Sequence, residues 1–336
     1  MRARHIVAGW VGLAMVLACG GGDHTTYTPS SALFELGESE GLYIVAHGDF
    51  YPLHGELDRY GIPEPNTPTP IDGTSHYFHS ITVSPDGAYL ASYSNPLEGD
   101  SHKAHLVVFD EDLKVVYENL DLLKASQNHL RWSPDGQYIA FNQGGTVGVL
   151  NWETKEQKIV ARDGKKPDNY SVLNPMSWSP DSTRLAYETE DKHIVVRTLD
   201  GKQTARWLGR TPAWDPTGER IAHLYSGSRT DRRRVALFDL ATHESHDLFS
   251  FLVEDQLIWT PEGRFLMFRN RWVNHRSGEL HFYDVEADEV FTTGKMLDSI
   301  RYAQVFPLPA KIRDRLSLFV NNDRENPNRR RAMTPE

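Results

Sequence analysis

The chain has 336 residues, of which 39% are hydrophobic and 24% charged, and its formal net charge is -10 at pH 7. This length allows a sizeable folded core, and the acidic balance argues against a nucleic acid or another general phosphate surface as the partner. Cys19 is the only cysteine, which excludes an intramolecular disulfide.

The first 18 residues have the features of a bacterial secretory leader. Arg2 and Arg4 precede an apolar run, Ile6 to Ala18, that is too short to span a bilayer. The run ends Val-Leu-Ala-Cys, which resembles a lipobox, where the cysteine is lipidated and becomes the first mature residue. We therefore predict a signal peptide over residues 1–18 and a lipid anchor on Cys19; an ordinary signal peptide with an incidental cysteine is the alternative.

A tether and two short strands are predicted next. Residues 19–32 are rich in Gly, Thr and Ser, a composition typical of a flexible linker. Apolar runs at 41–45 and 50–53 are strand-like. A loop is predicted over residues 56–79, because four prolines interrupt it: Pro63, Pro65, Pro68 and Pro70.

One turn motif then recurs five times. Pro sets the first corner of a type I turn, a Ser, Thr or Asp before it can bond the following backbone, and Gly accepts the left-handed conformation. Apolar runs on both sides make each copy a hairpin, and two further runs follow each hairpin. The copies are Val83-Ser84-Pro85-Asp86-Gly87, Trp132-Ser133-Pro134-Asp135-Gly136, Trp178-Ser179-Pro180-Asp181-Ser182, Trp214-Asp215-Pro216-Thr217-Gly218 and Trp259-Thr260-Pro261-Glu262-Gly263.

The spacing of the motif predicts an all-β propeller. The motif prolines are 49, 46, 36 and 45 residues apart, close to the roughly 40–45 residues of a four-stranded blade. Over residues 80–295 the repeat resembles the WD40-like or PD40 repeat of the TolB-like propeller family. The resemblance implies a rigid binding scaffold and, from TolB itself, an envelope protein that docks partners on a propeller face. No room remains before the propeller for the separate α/β domain of TolB.

Six blades are predicted, with the last closed by the N-terminal strands. A degenerate sixth hairpin is expected at 305–309 and 316–320, and the runs at 41–45 and 50–53 would complete it. The predicted domains are therefore the leader 1–18, the tether 19–32, a propeller over 33–320 and a disordered polar tail over 321–336.

Two positions of the repeat are singled out. The motif tryptophans share one slot and are expected to pack between blades. Four residues before that slot, every copy is polar, and these positions should converge at the mouth of the central channel. We predict a ring that binds a partner's side chain, a peptide end or a small anion, with the arginines as anchors. The ring residues are His79, Asn128, Asn174, Arg210, Asp255 and Arg301.

The sequence favours a noncatalytic binding lipoprotein of the bacterial envelope. It would be a monomer at the outer membrane, facing the periplasm or the cell surface, with a protein partner and no nucleic acid. No catalytic residues, cofactor or metal are assigned, because no recognised catalytic motif occurs in the sequence. The alternative is an envelope hydrolase or lyase that acts on a polysaccharide or lactone at the channel mouth.

Overall fold

The structure is a computed structural model in which all the described elements are strands. It describes residues 42–46, 49–52, 76–96, 105–112, 114–123, 130–166, 176–225, 233–251, 253–260, 263–270, 279–296 and 305–307. Within these ranges no helix is long and apolar enough to cross a membrane.

Twenty of the strands form five antiparallel sheets of four, which we call blades 1 to 5. Blade 1 contains β3 (His76–Val83), β4 (Tyr89–Pro96), β5 (His105–Asp110) and β6 (Val115–Leu123). Blade 2 contains β7 (Leu130–Trp132), β8 (Tyr138–Gln143), β9 (Thr146–Asn151) and β10 (Gln157–Ala161). Blade 3 contains β11 (Met176–Trp178), β12 (Arg184–Glu188), β13 (His193–Thr198) and β14 (Gln203–Leu208). Blade 4 contains β15 (Arg210–Trp214), β16 (Arg220–Tyr225), β17 (Arg233–Asp239) and β18 (Ser245–Phe251). Blade 5 contains β19 (Val253–Trp259), β20 (Phe265–Asn270), β21 (Glu279–Asp284) and β22 (Glu289–Met296).

The strands of each blade are paired in chain order, as the four-run pattern predicts. The first strand of each blade also contacts the first strand of the next, so β3, β7, β11, β15 and β19 follow one another as the innermost strands. The predicted loop over 56–79 extends too far, because β3 already begins at His76. Pairing of His76 with Pro96 on β4 holds that extension in the sheet.

The recurrent motif forms the predicted turn between the first and second strands. In blade 2 the Gly136 N–H donates to the Ser133 carbonyl at 2.9 Å, and Gly136 has a φ of 73°. The Ser133 hydroxyl accepts the Tyr138 N–H at 2.9 Å and donates to Asp135 at 2.5 Å. Blade 3 places Ser182 at the glycine position with a φ of 59°, so the left-handed conformation is kept without glycine.

Neighbouring turns also pack against one another, which the turn chemistry alone does not predict. A methyl group added to Gly218 would lie 3.5 Å from Cδ of Pro180 in the preceding blade. The equivalent distance from Gly263 to Pro216 is 3.4 Å. The turns of neighbouring blades therefore lie side by side, and the positive φ at these corners, rather than the spacing, is what favours glycine.

A sixth sheet brings the two ends of the chain together. It contains β1 (Leu42–Ala46), β2 (Asp49–Pro52) and β23 (Val305–Pro307) in the order β2-β1-β23. The N-terminal strands thus share a sheet with the start of the predicted sixth hairpin. β1 pairs directly with β23, and the second run of the predicted hairpin, 316–320, lies outside the described residues. Six complete blades and ring closure remain predictions, since residues 308–336 lie outside the described residues.

The core lies between successive blades. Trp178 is 7% exposed and packs with Ala140, Val149 and Leu185 across the junction of blades 2 and 3. Trp132, Trp214 and Trp259 occupy equivalent junctions. The prediction that these tryptophans form the inter-blade core is confirmed. The candidate functional positions are therefore the polar residues predicted at the starts of the innermost strands.

Candidate functional site

The predicted polar ring is only partly within the described structure. Arg210 begins β15, and its side chain is described. His79 lies in β3 and Asp255 in β19, but their side chains are outside the described residues. Asn128, Asn174, Arg301 and the predicted lipidation site Cys19 also lie outside them. The ring as a whole therefore remains a prediction.

Arg210 belongs to an ion cluster at the junction of blades 3 and 4. Its Nε donates to Oε1 of Glu188, the last residue of β12, at 3.0 Å. The Glu188 side chain is only 2% exposed, and Lys165 Nζ lies 3.5 Å from the same oxygen. One buried carboxylate thus holds two cations, while the Arg210 side chain stays 28% exposed and reaches solvent.

Lys165 reaches this cluster because the connection after blade 2 folds back across blade 3. Gly164 forms a β-bridge with Thr189, and the Lys165 N–H donates to the Glu188 carbonyl at 2.9 Å. Asn142 donates its side-chain amide to the Lys165 carbonyl at 3.3 Å. The sequence favours a solvated loop for the Lys165-Lys166 pair, and this is wrong for Lys165, which is 8% exposed.

A second repeated position lies one residue before the tryptophan slot, which Val83 occupies in blade 1, and it connects the innermost strands. Thr82 and Ser177 accept the backbone N–H of the tryptophan in the next blade, at 3.2 and 2.9 Å. Arg131 and Ala213 instead use their backbone carbonyls, which accept the indole N–H of the next tryptophan at 3.0 and 3.1 Å. Each junction is thus joined by one of two hydrogen bonds, from the backbone N–H of the next tryptophan to a side-chain oxygen or from its indole N–H to a backbone carbonyl.

Arg131 is the charged member of this position. Leu130 and Trp132 pack into the junction with blade 1, so strand alternation turns Arg131 the other way, towards blade 3. Its Nη1 donates to the Leu130 carbonyl at 3.1 Å. The side chain is partly exposed but surrounded by protein, and desolvation lowers the pKa of Arg131 to about 10. A comparison of this position across the five motif copies would have singled it out.

A cluster of Tyr187, Asp163 and Arg197 lies where blade 3 meets the connection from blade 2. The Tyr187 hydroxyl donates to Asp163 at 2.7 Å and accepts from Arg197 at 2.7 Å. Burial, followed by the hydrogen bond to Asp163, raises the pKa of Tyr187. The phenol therefore stays protonated at neutral pH and joins blade 3 to the connection from blade 2. Among the described residues, no group of three or more His, Cys, Asp or Glu could hold a metal ion.

His223 is a buried histidine between blades 3 and 4. It is 1% exposed, its Nε2 lies 3.2 Å from the Ser245 hydroxyl, and its ring meets Trp207 edge-on at 5.8 Å. A methyl group at Gly209 would lie 2.7 Å from Nδ1, so only glycine fits there. Desolvation lowers the pKa of His223 from 6.5 to about 4, and the folded state keeps it neutral.

This depressed pKa predicts an acid-sensitive junction. The unfolded chain binds the His223 proton near pH 6.5 and the folded chain only near 4, so stability is complete above pH 6.5 and declines as the pH falls towards 4. One pKa unit corresponds to about 1.4 kcal/mol, so the His223 shift should lower the free energy of unfolding by about 2–3 kcal/mol at pH 4.5. Urea unfolding should show that the free energy of unfolding falls less between pH 7.5 and pH 4.5 in His223→Gln than in the parent chain. His193→Gln, at a partly exposed histidine, should keep the parent's loss.

Comparison with known proteins identifies the fold. TolB from Acinetobacter baumannii matches with a TM-score of 0.51 at 15% identity, covering 81% of this chain and 64% of that one. A TolB structure from Agrobacterium tumefaciens matches with a TM-score of 0.51 at 16% identity, covering 80% of this chain and 98% of that one. The chain therefore spans just under two thirds of the Acinetobacter protein, and its fold is a TolB-like β-propeller.

The sequence match covers a smaller part of the chain than the structural matches do. A component of eukaryotic translation initiation factor 3 from Caenorhabditis elegans is 28% identical over 171 residues, which are 42% of this chain and 24% of that protein. No protein-family model matches the chain.

Proposed function

We propose that this protein is a noncatalytic binding scaffold of the bacterial cell envelope, anchored to the outer membrane by lipid on Cys19. The TolB-like fold supports a rigid scaffold, and the leader resembles that of a lipoprotein. A protein partner would dock where the innermost strands begin. No catalytic residue or cofactor is part of the proposal.

The observation that carries the proposal is the position and hydrogen bonding of the Arg210 side chain. A buried carboxylate accepts a hydrogen bond from its Nε, and the side chain, at the start of β15, is 28% exposed. A guanidinium held in one orientation loses less conformational entropy on binding and can form a paired hydrogen bond with a carboxylate. Arg210 is therefore suited to anchor an acidic or chain-terminal group of a partner.

The proposal predicts two separable losses. With the tether retained, the parent chain should incorporate a fatty-acid label, sediment with membranes and retain a crosslinked envelope protein. Cys19→Ala should lose the label and the sedimentation, because it removes the only thiol. Arg210→Ala should keep both and reduce partner capture by about tenfold, the equivalent of roughly 1.4 kcal/mol for a hydrogen bond to a charged group.

Two controls define the result. Arg206→Ala removes an exposed arginine that pairs with Asp191 on the outer part of blade 3, and it should capture the partner normally. Arg210→Lys keeps a positive charge beside Glu188, so the ion cluster is preserved. Thermal melting of the variants then shows whether a loss of capture comes from a loss of folding. Unlabelled parent protein would contradict the anchor, and equal capture by Arg210→Ala would contradict the binding role.

A further inference from the structure

The hydrogen bond that joins blades 2 and 3 at Arg131 uses the backbone and not the side chain. Its backbone carbonyl already accepts the indole N–H of Trp178. At the equivalent position of blade 4, Ala213 makes the same contact to Trp259 with no side chain beyond Cβ. The architecture therefore requires only a methyl group at this position, and the long charged side chain of Arg131 needs another explanation.

The surroundings of Arg131 leave its charge uncompensated. Among the described residues, its hydrogen bond is to the Leu130 carbonyl, and no carboxylate forms an ion pair with it. A guanidinium carries five N–H donors, and desolvation without an anion is unfavourable for any cation. A desolvated arginine on an innermost strand is consequently ready to receive an anionic group.

We propose that Arg131 binds a single carboxylate group that enters the centre of the propeller between blades 2 and 3. This deepens the proposed function, since it names the chemistry of the group that the scaffold receives. The carboxylate is supplied either by the free end of a polypeptide or by a small organic acid.

Charge and position favour a carboxylate over a phosphate. Arg131 brings a single positive charge that forms no ion pair with a described carboxylate, which matches a monoanion, and the net charge of -10 disfavours a multiply charged anion. The planar guanidinium also fits a carboxylate with two parallel hydrogen bonds. In blade 4, the equivalent residue Ala213 lies three residues after Arg210 at the strand start, with a bulge between them.

The test compares thermal melting of the full-length chain with matched probes at constant ionic strength. The probes are sodium acetate, acetyl-trialanine with a free carboxylate, and the same peptide as its amide, with sodium chloride as the reference. The acid peptide should raise Tm by about 2–4 °C at ten times its Kd, and the amide should have no effect. A peptide that acts at lower concentration than acetate identifies a chain end as the source, and equal potency identifies a small acid.

Arg131→Gln and Arg131→Ala should both remove the carboxylate-dependent shift. Without a carboxylate their Tm should equal or exceed that of the parent, because an unpaired desolvated charge is gone. Arg206→Gln, at an exposed arginine on β14, should keep the full shift. A parent chain that responds to neither acid, or an Arg131→Gln chain that is less stable and still responds, overturns the proposal. Neither outcome touches the anchor at Cys19 or capture through Arg210, which the separate assays report.

Discussion

Replacement of Trp178 by alanine is expected to lower the free energy of unfolding by about 3–5 kcal/mol. The indole is 7% exposed and fills the junction of blades 2 and 3, where it stacks on Tyr138 at 6.3 Å. Alanine removes the buried apolar surface and leaves a cavity, because the flanking strands are held by their own ladders and collapse only partly. The bond from Nε1 to the Arg131 carbonyl is lost as well.

Equilibrium unfolding in urea measures this loss, and Trp178→Phe separates its causes. Phenylalanine keeps much of the volume but cannot donate to the Arg131 carbonyl. Trp178→Phe should therefore regain most of the lost stability, except for about 1 kcal/mol from the missing hydrogen bond. Trp152→Ala provides a comparison at a partly exposed tryptophan and should cost less. A loss below about 1 kcal/mol for Trp178→Ala would place the indole in an exposed site.

The features that could be predicted from the sequence are those fixed by local chemistry. Pro134 and Gly136 specify a turn within five residues, and the apolar runs beside it specify strands, so the hairpins and four-stranded sheets were predictable. Contact between Gly218 and Pro180 was not, since it depends on how one blade meets the next. The same limit applies to β1, whose partner β23 lies at the other end of the chain.

The candidate site was less predictable, because its groups come from different blades. The position of Arg210 followed from the repeat, but nothing in the repeat identifies Glu188 as its partner. At the position of Glu188, blade 2 carries Asn142 and blade 4 carries Leu224, so no pattern distinguishes it. Lys165 lies in a connection without periodicity, and its burial depends on that connection returning across blade 3.

Substitution of Glu188 by glutamine should be as disruptive as loss of a core tryptophan, although the two side chains have the same shape. The 2% exposed carboxylate faces Lys165 and Arg210, and an amide would remove the buried negative charge that both cations face. Removing one partner of a buried ion pair costs about 3–5 kcal/mol, because the remaining charge stays desolvated. Urea unfolding at pH 7.5 should show this loss.

The neighbouring Glu190 is the matched control for this prediction. It is exposed and accepts the Lys166 N–H at 2.8 Å, so Glu190→Gln should cost no more than about 1 kcal/mol. If the penalty of Glu188→Gln comes from uncompensated cations, removing the buried cation as well should reduce it, and Lys165→Met combined with Glu188→Gln should be more stable than Glu188→Gln alone. An additive double variant would show that Glu188 acts through packing. In that case Arg210 would not owe its orientation to the buried charge, and its role as an anchor at the strand start would need another support.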